Sequence, residues 1–280
     1  FDGVSAGEGD KERSDAVPHQ RKGENNSNGI YMNKTALITG ASGGIGLELA
    51  RIHASKGDNL VLVARSREKL DEVKAELESK FKVSVYNIVK DLSVRNAARE
   101  VFYEVENQNI KVDYLINNAG FGDFGLFENC DWDKQERMIN LNVTALVHLT
   151  RLFVPDMISR GGGKILNVAS MAAFTPGPTM SVYFATKAFV LSFSEALNNE
   201  LKDKGITVTA LCPGSTESKF HEVALGDPKL VREREMMTAE EVAEIGYRAM
   251  MRGKPVIIPG FKNSLLVFAS RFVPRGVVVK

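Results

Sequence analysis

The stretch Thr35-Ala36-Leu37-Ile38-Thr39-Gly40-Ala41-Ser42-Gly43-Gly44-Ile45-Gly46 decides the fold. Its first five residues form a short apolar run that meets glycine at once, the pattern of a strand buried in a parallel sheet. A helical pattern follows through Ile45, Leu49 and Ile52 and ends near Gly57. A strand that feeds a glycine-rich turn and a helix start makes an anion site, because free backbone N–H groups and the positive helix end face the ligand. Gly40 suits the tight turn, Gly44 lets backbone approach a phosphate, and Gly46 lets the helix pack on the strand. Ser42, Gly43 and Ile45 complete the turn. The spacing G-x-x-x-G-x-G is one residue longer than the commoner dinucleotide fingerprint. Taken alone it is a weak motif, but its place after the first strand of an alternating pattern points to a nucleotide.

The alternation continues outward from this turn. Strands are expected at 59–64, 82–89, 112–117, 164–169, 206–212 and 255–260. Helices are expected at 67–80, 93–107, 133–159, 181–203 and about 238–251, with Leu70, Val73 and Leu77 on one face of the first of these. Strand and helix in turn imply a doubly wound α/β domain: a Rossmann-like parallel sheet of about seven strands, in three α/β/α layers joined by right-handed crossovers. Ligands of such a sheet sit at the carboxyl ends of its strands, near the point where strand order reverses.

The chain has 280 residues, 44% hydrophobic and 25% charged, ordinary values for a globular protein. Its 36 Lys and Arg against 35 Asp and Glu leave a net charge of +1, which argues against nucleic acid as a partner. Two cysteines, Cys130 and Cys212, exclude a disulfide scaffold and carry no metal-ligand spacing. No apolar run approaches the ~20 residues that span a bilayer, and no signal pattern opens the chain. These features set a cytoplasmic expectation. Residues 1–31 are polar and glycine-rich and are expected to be a disordered or non-native tail, leaving 280 minus 31, or 249, residues for one catalytic domain. The apolar end from Ser264 onward is open to three readings: a core-docked helix, a dimer contact, or weak association with a membrane surface.

Chemistry-bearing residues fall at strand ends. The second strand should meet the adenosine ribose, and it ends in Arg65, suited to pair with a 2′-phosphate, where an acidic residue would favour a 2′-hydroxyl. Asp91 and Leu92 follow the third strand, toward adenine, and Asn118, Ala119 and Gly120 follow the fourth. NADP(H) is therefore favoured over NAD(H). Ser170 follows the fifth strand and is placed to hold a substrate carbonyl. Tyr183 and Lys187 are four apart on a helix, hence on one face. A free Tyr titrates near ~10, and a neighbouring ammonium lowers that value toward proton transfer at neutral pH. Asn140 and Asn142 both lie mid-helix, where Asn is unfavourable without a specific task such as anchoring a water. Spacing does not choose between them. His53, His148 and His221 show no ligand spacing, and no metal is expected.

Taken together, Thr39-Gly40-x-x-x-Gly44-x-Gly46, Asn117-Asn118-Ala119-Gly120, Ser170, Tyr183-x-x-x-Lys187 and Pro213-Gly214 resemble the single-domain short-chain dehydrogenase/reductases of about 250 residues, over nearly all of 34–260. The resemblance implies that Tyr183 is the catalytic acid/base. It implies that Lys187 binds the nicotinamide ribose and lowers the tyrosine's pKa, that Ser170 positions the carbonyl, and that Asn142 holds a water in a proton relay. It also implies cofactor contacts from Asn118, Pro213, Gly214 and Thr216, the last near the carboxamide. One departure stands out: many NADP(H)-preferring members carry Lys or Arg inside the first turn, where this chain has Gly43. The implied reaction interconverts a carbonyl and an alcohol by hydride transfer. Phe121, Phe124, Phe127, Met171, Phe174, Met180 and Phe220 suggest a hydrophobic substrate, and 215–237 a mobile lid. Related proteins pair the helices at 133–159 and 181–203 across a dimer interface, so a homodimer or homotetramer is expected. The alternatives are an epimerase or dehydratase on this scaffold and a non-catalytic nucleotide sensor.

Overall fold

The computed structural model describes residues 33–217 and 236–278. Strands β1 (Thr35–Thr39), β2 (Asn59–Ala64), β3 (Val85–Val89), β4 (Tyr114–Asn117), β5 (Gly163–Val168), β6 (Ile206–Leu211) and β7 (Val256–Ile257) form one sheet in the order β3-β2-β1-β4-β5-β6-β7. Every neighbouring pair is parallel, with Leu37 opposite both Val61 and Leu115. The order reverses between β1 and β4, which sets the cleft at their carboxyl ends.

The period of two along each strand assigns the layers. Ala36, Ile38, Leu60, Leu62 and Ile116 face one core with helices α1 (Gly44–Ser55), α2 (Arg67–Phe81) and α7 (Ala239–Met251). Leu37, Val61, Val63 and Leu115 face the other, with α3 (Ala97–Asn107) and α5 (Leu146–Ser159). Helix α6 (Ser181–Leu201) packs on the same side, with Val190 and Leu191 against Ala210 and Cys212. Both faces are buried, which is why the strands read as continuous apolar runs. Each fully buried Leu or Ile contributes roughly 1.5–3 kcal/mol.

Several expected bounds shift for local reasons. The third strand opens at Val85 because Lys82 takes φ 59° as the left-handed cap of α2. Helix α3 opens at Ala97 because Asp91 Oδ1 accepts from Ser93 N and Oγ, and Asn96 turns left-handed at φ 68°. The last strand shrinks to two residues between Pro255 and Pro259, which lack donors for the ladder. The helix expected over 133–159 is three pieces: α4 (Trp132–Ile139), a π-helical turn Asn140–Ala145, and α5. After β7, helix α8 (Phe261–Ser270) docks through Val267 and leaves its other face exposed. No helix among the described residues is long and apolar enough to cross a membrane. The expectations for residues 1–31, for His221 and Phe220, and for most of the proposed lid lie outside the described residues.

Candidate active site

The glycine turn joins β1 to α1 beside the reversal of strand order. Gly40 takes φ 67° and Gly44 φ 55°, a region that L side chains rarely adopt. A Cβ at Gly40 would stand 2.8 Å from Asn118 Nδ2 and 3.0 Å from Ala119 Cα. One at Gly46 would run into the Gly40 carbonyl oxygen, so helix and turn touch there because no side chain intervenes. Gly43 differs: its φ of 174° suits any residue, and a Cβ there meets nothing within 4 Å. It caps α1 without a side-chain hydrogen bond, leaving the first-turn N–H groups facing a cradle of glycine backbone. Such a cradle fits a pyrophosphate.

Thr39, unnoticed in the sequence as a site residue, ties the turn to the end of β4. Its Oγ1 accepts from Asn118 N and Ala119 N, both at 3.0 Å, and donates to Ile116 O at 3.3 Å. The Asn118 amide nitrogen donates back to Thr39 O at 2.9 Å and Gly40 O at 3.2 Å. Asn118 thus holds the turn itself in shape.

At the carboxyl ends of β2 and β3, Arg65 is exposed immediately after β2 and Leu92 is buried. Burial acts to raise the Asp91 carboxyl, but hydrogen bonds from Ser93 and the charges of Arg65 and Arg137 outweigh it and hold the group below the usual carboxylate range. Arg137, on α4, reaches Asp91 Oδ2 at 3.2 Å. Only the fold brings this second cation near Arg65.

The reacting end is built from β5, α6 and the π turn. Ser170 follows β5, and its Oγ accepts from Ala172 N at 3.1 Å. Burial pushes the Tyr183 phenol up to about 12, opposed by a hydrogen bond with the Ser170 side chain. Lys187 lies one helical turn on, its Nζ 5.9 Å from the Tyr183 ring centre and donating to Val168 O at 2.8 Å. Burial lowers the Lys187 ammonium to about 8, partly offset by Cys212. Burial also pushes the Cys212 thiol up to about 12 and keeps it neutral. Desolvation therefore moves Tyr183 and Lys187 toward their uncharged forms, and only added positive charge beside the phenol reverses this for the tyrosine.

Asn142 is buried inside the π turn, with both amide N–H groups and its oxygen hydrogen-bonded. Nδ2 donates to Phe121 O at 2.9 Å and to Thr186 Oγ1 at 3.1 Å, while Oδ1 accepts from Phe121 N at 3.1 Å. A Cβ on Gly120 would stand 3.0 Å from Asn142 Oδ1 and 3.4 Å from Lys187 Nζ, so glycine lets the loop after β4 approach both groups. Pro213 O accepts from Met171 N at 2.8 Å, and Thr216 Oγ1 donates to Gly214 O at 3.1 Å. All four expected catalytic positions thus gather at the carboxyl ends of β4 and β5.

Of the apolar loop residues, Phe124 and Phe127 are exposed, and Phe174 lines a cavity of about 750 Å³ with Pro176, Phe184, Ala188, Val267 and Val273. Ser170, Tyr183 and Lys187 do not line it. His53 is a core residue: its Nδ1 lies 2.7 Å from Asp58 Oδ2, between the rings of Tyr114 and Tyr247. No group of three or more His, Cys, Asp or Glu among the described residues is arranged to hold a metal.

Residues 34–227 match the family described as short chain dehydrogenase. The chain belongs to that family. Its sheet order, glycine turn and Ser-Tyr-Lys grouping are those expected of an oxidoreductase of the short-chain class. A very-long-chain 3-oxoacyl-CoA reductase from Bos taurus is 34% identical over 200 residues, 70% of this chain and 63% of that protein. The match therefore spans less than two thirds of the bovine relative. A short-chain dehydrogenase from Sphingobium yanoikuyae, solved in complex with NADPH, is 35% identical, with a TM-score of 0.78 over 87% of this chain and 94% of that one. A bulky-bulky ketone specific alcohol dehydrogenase from Comamonas testosteroni is 33% identical, with a TM-score of 0.73 over 85% of this chain and 92% of that one.

Proposed function

We propose that this short-chain dehydrogenase interconverts a ketone and a secondary alcohol on a hydrophobic substrate, with NADP(H) as its hydride carrier. The observation that carries the reading is the meeting of three groups at one strand end: Ser170 bonded to Tyr183, and Lys187 over the same ring. The glycine cradle and the exposed Arg65 fit a dinucleotide with a 2′-phosphate. When bound, that cofactor supplies the hydride and, once oxidised, a positive ring.

The remaining steps belong to the protein. Ser170 holds the carbonyl oxygen by a hydrogen bond and directs it at Tyr183. In reduction, Tyr183 donates its phenolic proton to the developing alkoxide, and burial keeps that proton in place until the charge forms. Lys187 then steadies the phenolate through its ammonium, anchored by the Val168 carbonyl. Asn142 keeps the Phe121 backbone and Thr186 in place behind this pair, so its side chain acts by positioning. The substrate class is supported by the apolar loop after β4, by the bovine relative's name, which specifies a 3-oxoacyl thioester, and by the Comamonas enzyme's name, which specifies bulky ketones.

The test is a carbonyl panel of β-keto esters, diaryl ketones, aldehydes and sugars, assayed with NADPH and NADH. Apolar ketones should be turned over with NADPH consumed, and Tyr183→Phe should lose roughly 10²–10⁴-fold. Turnover without net NADPH oxidation would assign an epimerase or dehydratase instead, and full activity in Tyr183→Phe would overturn the proton path.

A further inference from the structure

Helix α8 wears its apolar face outward. Phe261, Leu265 and Phe268 follow the spacing i, i+4, i+7, and Phe272 continues the line just past the helix end, its ring 5.2 Å from that of Phe268. Their exposures are 83%, 55%, 56% and 74%. The opposite face does the docking. Val267 is buried, Asn263 Nδ2 donates to Pro259 O at 2.7 Å, and the same amide lies against Gly214. An ordinary surface helix has the reverse arrangement, and a contiguous apolar stripe of this kind marks an interaction surface.

Charge along this part of the sequence is one-sided. Arg248 pairs with Glu244 at 2.7 Å, but from 249 to 280 the sequence holds six basic residues, Arg252, Lys254, Lys262, Arg271, Arg275 and Lys280, and neither Asp nor Glu. Since the whole chain sums to +1, the rest of it carries −5. We propose that α8 lies in the plane of an anionic lipid bilayer, with Phe261, Leu265, Phe268 and Phe272 at the acyl boundary and the surrounding cations toward lipid headgroups. Its ten residues span about 15 Å, half a bilayer core, so the geometry is that of a helix resting in the interface. A second copy of the chain suits the stripe less well. A two-fold contact would set the same acid-free, cation-rich stretch against itself, whereas an anionic bilayer offers both the apolar layer and the opposite charge.

The full chain should be sedimented with vesicles of phosphatidylcholine alone and with vesicles containing about one third phosphatidylserine. Roughly tenfold more protein should pellet with the anionic vesicles, and high salt should reverse most of that gain. The double variant Leu265→Glu with Phe268→Glu should lose vesicle binding while keeping its circular dichroism and its oligomeric state. Should that variant fail to fold, Lys254→Glu with Arg271→Glu provides the second arm, losing binding to anionic vesicles. Absence of binding by the natural chain, or equal binding by a folded variant, overturns the proposal. An assembly that dissociates on the Leu265 and Phe268 substitutions gives the face to a second copy and overturns it as well.

Discussion

Replacing Arg65 with Ala removes the cation that β2 delivers to the part of the cleft proposed to hold the adenosine ribose. Its guanidinium is exposed, so a bond to a 2′-phosphate belongs at the lower end of the charge-assisted range, about 1.5 kcal/mol. That corresponds to roughly a tenfold loss in kcat/KM for NADPH. NADH has no phosphate there and should lose less than about twofold, so the ratio of the two constants falls about tenfold. Arg137 stays near through its 3.2 Å pair with Asp91 and keeps the loss from growing further. Arg65→Asp adds repulsion and should carry preference toward NADH. Initial rates followed by nicotinamide absorbance, with each cofactor varied at saturating ketone, give the ratio directly. Equal losses with both cofactors, or none with NADPH, would refute the phosphate role. Gly43→Arg provides the reciprocal check. Its extended backbone and empty surroundings admit a side chain without strain, so the variant should gain NADPH preference at unchanged thermal stability.

Three further outcomes follow from the buried site. Burial lowers the Lys187 ammonium to about 8 from its ordinary 10.5, so reductive activity should fall as pH rises through about 8, and a flat profile to high pH would contradict the ammonium's role. Between those two values the unfolded chain binds more protons than the folded one, so stability should rise with pH across that window. Lys187→Met should accordingly stabilise the fold at neutral pH by up to roughly 3 kcal/mol while abolishing activity, read from denaturant curves. Asn142→Ala strips the Phe121 backbone of two partners and should destabilise by roughly 1–3 kcal/mol and lower kcat, with the more conservative Asn142→Gln losing less. Gly46→Val drives a side chain into the Gly40 carbonyl and should lose both cofactor binding and thermal stability, whereas Gly43→Ala should lose neither.

The sheet was legible in the sequence because its signal is one-dimensional. Alternate residues of TALIT and NLVLVA face opposite cores, and both cores are apolar. The glycine turn was legible because Gly40, Gly44 and Gly46 answer to backbone geometry that their neighbours in sequence create. Tyr183 and Lys187 were legible because one helical turn fixes their spacing. What escaped was set by distant contacts. Arg137 meets Asp91 across 46 residues of chain, and Thr39 binds the end of β4 across about 80. The interruption at Asn140–Ala145 escaped for another reason: Met138, Leu149 and Phe153 keep near-helical spacing across it. The burial of the Tyr183 phenol was likewise set by distant contacts. Among the protein's own groups burial, invisible in the sequence, dominates and raises its pKa to about 12, and the lowering expected of Lys187 requires the added positive charge of the oxidised nicotinamide.

The π turn also works as a phase adjuster. Its wider ring takes up one more residue than an α turn, so the buried face of α5 is rotated by roughly 100° relative to that of α4. Helix α4 turns Gln135 toward Asp123 and packs on α6, while α5 turns Leu149, Phe153 and Met157 toward the sheet and α3. Deleting one residue such as the exposed Thr144 would therefore leave a longer, more regular helix whose two ends no longer agree about which way is in. The local irregularity is the joint that lets one rod serve two neighbours, and it places Asn142 at the elbow.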